Sequence, residues 1–166
     1  MHIYIGIDPG QSGAICSVND DGRIVRATKM PLTPAEIFEE LGTYEMLGRG
    51  EEGALEAHNV YAVLENQNSF APKGVRFNTS AMAGFFRHLG HLEAFLLASG
   101  IKYDLKMAAH WQRAMGCLTG GNKNITKARA EQLFSGSVKV THALADALLL
   151  AEYCRRTQRG IPLNKE

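Results

Sequence analysis

The stretch His2-Ile3-Tyr4-Ile5-Gly6-Ile7-Asp8-Pro9-Gly10 decides how this 166-residue chain is read. Ile3, Ile5 and Ile7 recur at the two-residue period of a β-strand, Asp8 terminates it, and Pro9-Gly10 stops it. Working outward, residues 13–18 and 23–28 are two further β-tolerant runs, separated by the hairpin-turn sequence Asn19-Asp20-Asp21-Gly22. The chain is therefore expected to open with a three-stranded antiparallel meander.

Beyond it, helical and extended patterns alternate. Thr33-Pro34-Ala35-Glu36 joins an N-cap, a proline at the first helical position and a capping-box glutamate, predicting a helix to about Leu47, closed by Gly48 and Gly50. Residues 61–64 form a compact apolar run closed by Glu65, as in a central strand covered on both faces. After a polar loop through Asn78, Ser80 can cap a helix on which Met82, Phe85, Phe86, Leu89, Leu92 and Leu96 follow helical spacing as far as Gly100. A strand over 101–105, a short helix over 108–115, a loop over 116–124, a helix over 125–134 and a last helix over 142–156 complete the order. Such an order predicts one α/β domain over residues 1–166, with helices flanking a mixed sheet. Topology alone names no function.

Composition narrows the class. At 45% hydrophobic the chain can bury a core, and it has no apolar run of about 18 residues and no signal-peptide pattern, so a soluble, cytoplasmic protein without membrane contact is expected. Cys16, Cys117 and Cys154 form no CxxC pair and predict neither a disulfide framework nor structural zinc. The net charge of +1 hides an asymmetry. Seven glutamates (36, 39, 40, 45, 51, 52 and 56) face one Arg49 between Thr33 and Ala57, whereas ten Lys or Arg face Glu93, Asp104 and Glu131 between Asn66 and Val140. The basic segment can supply phosphate contacts to a nucleic acid, or it can be a solvated face of mixed helices.

Four side chains stand where an apolar one would have been cheaper. Asp8 ends the first strand, as a turn residue or a functional acid. Glu65 ends a buried strand, where an unpaired carboxylate costs roughly several kcal/mol, so it is salt-bridged, exposed at the strand end, or functional. His142 and Asp146 lie four residues apart on a last helix that Ala and Leu make apolar nearly all round, so they share one face. Carboxylates converging from two strands and a helix suit Mg²⁺ or Mn²⁺ rather than zinc, and two such ions, about 3.5–4 Å apart in sites of this kind, suit phosphodiester hydrolysis.

At Gly6-Ile7-Asp8-Pro9-Gly10-Gln11-Ser12-Gly13, Leu64-Glu65-Asn66-Gln67 and His142-Ala143-Leu144-Ala145-Asp146-Ala147-Leu148-Leu149-Leu150-Ala151-Glu152, the sequence resembles the RuvC-like Holliday junction resolvases, closest in its compact form to bacteriophage or prophage members. The resemblance implies an RNase H-like fold and a homodimeric crossover junction endodeoxyribonuclease that nicks four-way junctions in pairs with Mg²⁺ or Mn²⁺. It also implies that Asp8, Glu65 and Asp146 are catalytic metal ligands. Many members carry an acid one turn before the last aspartate; this chain has His142, as a fourth ligand or water-orienting base. DNA contacts are expected from Gln67, Phe70, Lys73, Arg76 and Phe77 after the central strand, and from Lys123 and Lys127 at a helix start. Lys106 and Arg113 are weaker candidates for such contacts, and Trp111 is expected to anchor the core.

Three other readings compete. One is the same chemistry on other branched DNA, and another is a module that binds junctions without cutting. The last is a nucleotide-binding domain of the sugar-kinase and actin type, for whose two lobes the chain is too short.

Overall fold

A computed structural model describes residues 1–48, 59–66 and 79–164. The opening meander is β1 (Ile3–Asp8), β2 (Ala14–Asn19) and β3 (Ile24–Lys29), paired antiparallel in sequence. At its hairpin the Asn19 side chain accepts the backbone N–H groups of Asp21 and Arg23 at 3.1 and 2.9 Å, and Gly22 takes a left-handed φ of 76°. Helix α1 (Pro34–Gly48) begins with the expected reciprocal box. The Glu36 N–H donates to Thr33 Oγ1 at 3.2 Å, and the Thr33 N–H donates to Glu36 Oε2 at 2.9 Å.

Strands β4 (Val60–Asn66) and β5 (Lys102–Met107) run parallel to β1, giving the five-stranded order β3-β2-β1-β4-β5. Helix α2 (Thr79–Ala98) joins them; it already includes Thr79, so Ser80 lies in its first turn rather than capping it. Strand β5 runs two residues further than its sequence pattern suggested and passes directly into α3 (Ala108–Ala114), followed by α4 (Asn124–Leu133) and α5 (His142–Arg159).

Alternation along the strands divides the core in two. Ile3, Ile5, Ile7, Ala62 and Leu64 pack on one face with Ile37, Leu41 and Tyr44 of α1 and Leu89, Leu92 and Leu96 of α2. Tyr4, Cys16, Val18 and Val63 pack on the other with Trp111, Phe134 and the apolar side of α5. Helix α5 is buried from Leu144 through Cys154 except at the half-buried Asp146, as its Ala/Leu composition predicts. Within it Glu152 is held by Arg155 and Arg156 at 2.7 Å each. One member of the acidic stretch is used internally, since Glu40 binds Arg26 through two hydrogen bonds of 3.0 and 2.8 Å.

Candidate active site

Parallel register sets two of the acids side by side. Ile7 of β1 pairs with Leu64 of β4, so the next residues along, Asp8 and Glu65, neighbour each other at the C-terminal ends of adjacent strands. Gly6 and Asp8 share the face against which α5 lies. A Cβ on Gly6 would fall on the Ala147 carbonyl oxygen and the Ala151 nitrogen, so the glycine lets the helix backbone press onto β1. That approach brings Asp146, the residue before Ala147, to the same end of the sheet.

Asp8, Glu65 and Asp146 line one cavity of about 280 Å³ with Pro9, Ser12, Gln112, Thr119, Gly121 and Lys123. Ser12 and Pro9 come from the turn after β1. Gly13, which lets β2 begin there, has no room for a Cβ against the Asp8 backbone. Thr119, Gly121 and Lys123 come from the loop between α3 and α4, where Gly120 and Gly121 take left-handed φ angles of 53° and 98°. Gln112 fastens this loop to α3: its Oε1 accepts both the backbone N–H and the hydroxyl of Thr119 at 3.2 Å. Thr119 Oγ1 in turn accepts the Gly121 N–H at 3.3 Å.

Three carboxylates meet one lining cation among the described residues, and their protonation reflects it. Burial, then the charges of Glu65 and Asp146, push Asp8 up to about 8, with Lys123 acting in the opposite sense. Burial also raises Asp146, against the Thr126 hydroxyl, Lys123 and His142. Asp146 Oδ1 is buried with no hydrogen-bond partner among the described residues. Glu65 is 6% exposed, and its Oε2 accepts the Trp111 indole N–H at 2.8 Å.

The orphaned Asp146 oxygen and an Asp8 forced toward its neutral form are both features that a bound cation would relieve. The oxygen-only donor set of Asp8, Glu65 and Asp146 fits a hard divalent cation. Among the described residues, no three His, Cys, Asp or Glu groups stand close enough together to hold an ion as placed. The three acids line one cavity without forming such a cluster.

The remaining site residues named by sequence are distributed as follows. His142 opens α5, exposed and outside the cavity lining, and its electrostatic influence on Asp146 lowers that acid's pKa. Lys123 lines the cavity itself. Lys127, one turn on, pairs with Glu131 at 2.8 Å and borders a separate groove with Phe134 and Lys139. Lys106 is level with Glu65 in the sheet, with its ammonium 3.9 Å from Asp104. Gln67, Phe70, Lys73, Arg76 and Phe77 lie outside the described residues. Sequence reasoning missed Ser12, Gln112 and Thr119, and it read Trp111 as core alone. A signal existed in Gln112, a polar residue beside Trp111 on a short helix, but its target could not be named.

No family model matches the chain, and no curated protein matches it by sequence. Among solved structures it resembles T. thermophilus RuvC in complex with Holliday junction substrate, at 15% identity and a TM-score of 0.62 over 99% of both chains. A second Thermus thermophilus RuvC structure matches at 15% identity and 0.62 over 98% of both chains. What is shared at this identity is the fold: the chain has the RNase H-like architecture of RuvC, a mixed five-stranded sheet flanked by helices.

Proposed function

We propose that this chain is a divalent-metal-dependent endonuclease that resolves four-way DNA junctions, each protomer of a homodimer nicking one strand. The observation that carries the reading is the meeting of Asp8, Glu65 and Asp146, from β1, β4 and α5, around one cavity. It occurs on the fold of a RuvC solved with Holliday junction substrate.

Mg²⁺ or Mn²⁺, two ions per site, would supply an activated water and stabilise the leaving 3′ oxygen. The three carboxylates would hold them, and Asp8 must lose its proton to do so. Lys123 stands where α4 begins, so its ammonium and the helix N-terminus together favour the scissile phosphate. His142 is assigned an electrostatic role through Asp146. Gln67, Phe70, Lys73, Arg76 and Phe77 are assigned to the branch point, and Lys106 and Lys127 to flanking phosphates.

A second reading is a junction binder that does not cut, favoured by the absence, among the described residues, of three His, Cys, Asp or Glu groups close enough together to hold an ion. Cleavage of four-way, flap and linear duplex DNA with Mg²⁺ or Mn²⁺, against an Asp8→Asn control, separates the readings. Paired nicks in the junction, absent in the control, are expected. Cutting confined to flaps moves the substrate to other branched DNA. Retarded junctions without metal-dependent product would sink the nuclease.

A further inference from the structure

We infer that Trp111 is a positioning residue for the acid site, its indole fixing Glu65 so that the chain's single tryptophan senses whether that carboxylate is engaged by a cation. The inference rests on the metal-dependent reading above. Glu65 is almost wholly enclosed, and a carboxylate so placed demands hydrogen-bond donors. Indole supplies one donor and no acceptor, so the contact has a single polarity, and at 2.8 Å to an anion it is short and charge-assisted.

Trp111 cannot follow a moving carboxylate. Its ring is fully buried, in the same core cluster as Leu144, Leu148 and Phe134. An aromatic hydrocarbon would serve that packing equally well, so the N–H is needed only by what it touches. The next residue, Gln112, grips Thr119 in the loop that carries Lys123. Two successive residues of α3 thus hold two parts of the cavity lining, the acid Glu65 and the loop that carries Lys123. Trp111 thereby presets the position of a ligand in a site whose acids otherwise repel each other.

The test uses the full chain and the metal alone. Calorimetry with Mn²⁺ and with Mg²⁺ establishes binding, and tryptophan emission is followed over the same Mg²⁺ titration. Emission should change with the calorimetric midpoint, and Trp111→Phe should weaken Mn²⁺ binding on the order of tenfold, with thermal melting confirming a folded variant. If Trp111→Phe does not fold, the emission titration of the unaltered chain still decides. Metal binding with unchanged emission, or a folded Trp111→Phe of unaltered affinity, overturns the role of Trp111 and leaves the nuclease reading standing. Absence of metal binding to the unaltered chain overturns both.

Discussion

Gly6 lies directly beneath the α5 backbone, and a methyl group added to it would fall on the carbonyl oxygen of Ala147. The obstacle is main chain rather than a flexible side-chain tip, so a larger residue must lift the helix off β1. Gly6→Ala should destabilise the fold by about 3 kcal/mol, the upper part of the overpacking range. Because the same helix carries Asp146, metal binding should weaken even where the variant stays folded. Chemical denaturation and metal calorimetry on Gly6→Ala check both outcomes, and a variant as stable as the parent would contradict the close approach.

Asp8 makes the metal-free protein pH-sensitive in a defined direction. Its folded pKa, about 8, lies above the ordinary value of 3.8, so between these two pH values the folded state holds a proton that the unfolded state has lost. Its contribution to stability is therefore full below about pH 4 and is lost as pH rises toward 8. Asp8→Asn should stabilise the metal-free protein by roughly 1–2 kcal/mol near pH 7 and flatten this dependence. Melting in chelator from pH 5 to 8.5 tests it. Divalent metal should bind more tightly as pH rises, since the ion and the Asp8 proton compete.

Lys123 and Lys127 are one turn apart on neighbouring ground but differ in engagement. The first faces the carboxylates; the second is tied to Glu131 at 2.8 Å. Lys123→Ala should lower junction cleavage by roughly 100-fold, as loss of a charge at the reacting group does, and shift its pH profile upward because Asp8 loses its lowering influence. Lys127→Ala should leave the chemical step within about threefold and chiefly weaken DNA binding, reducing its salt slope by about 1. Single-turnover cleavage and binding across a salt series distinguish them, and equal effects on both would reject the separation.

His142 and Asp146 share a helix face but not a site lining. Asp146→Asn should weaken metal binding by on the order of 100-fold, whereas His142→Ala should change it less than about threefold. Mn²⁺ calorimetry on the two variants is the measurement. A large loss from His142→Ala would make the histidine a ligand after all.

Most elements were legible because each rests on neighbours in sequence. The Thr33–Glu36 box, the Asn19–Gly22 turn, the alternation of Ile3, Ile5 and Ile7, and the apolar face of α5 are all short-range patterns with one favoured conformation. Asp8, Glu65 and Asp146 were legible for the opposite reason: each is a costly polar interruption of such a pattern, and the cost marks it.

The amino-acid order by itself determined the element sequence and the acids that break it. Only the tertiary structure decided that Gly6 seats α5, that Trp111 grips Glu65, that Gln112 ties down the Lys123 loop, and that His142 stays outside the cavity. These are contacts between segments far apart in the chain or choices of side-chain direction. Their energies depend on which surfaces the sheet order brings together, and no local pattern encodes that.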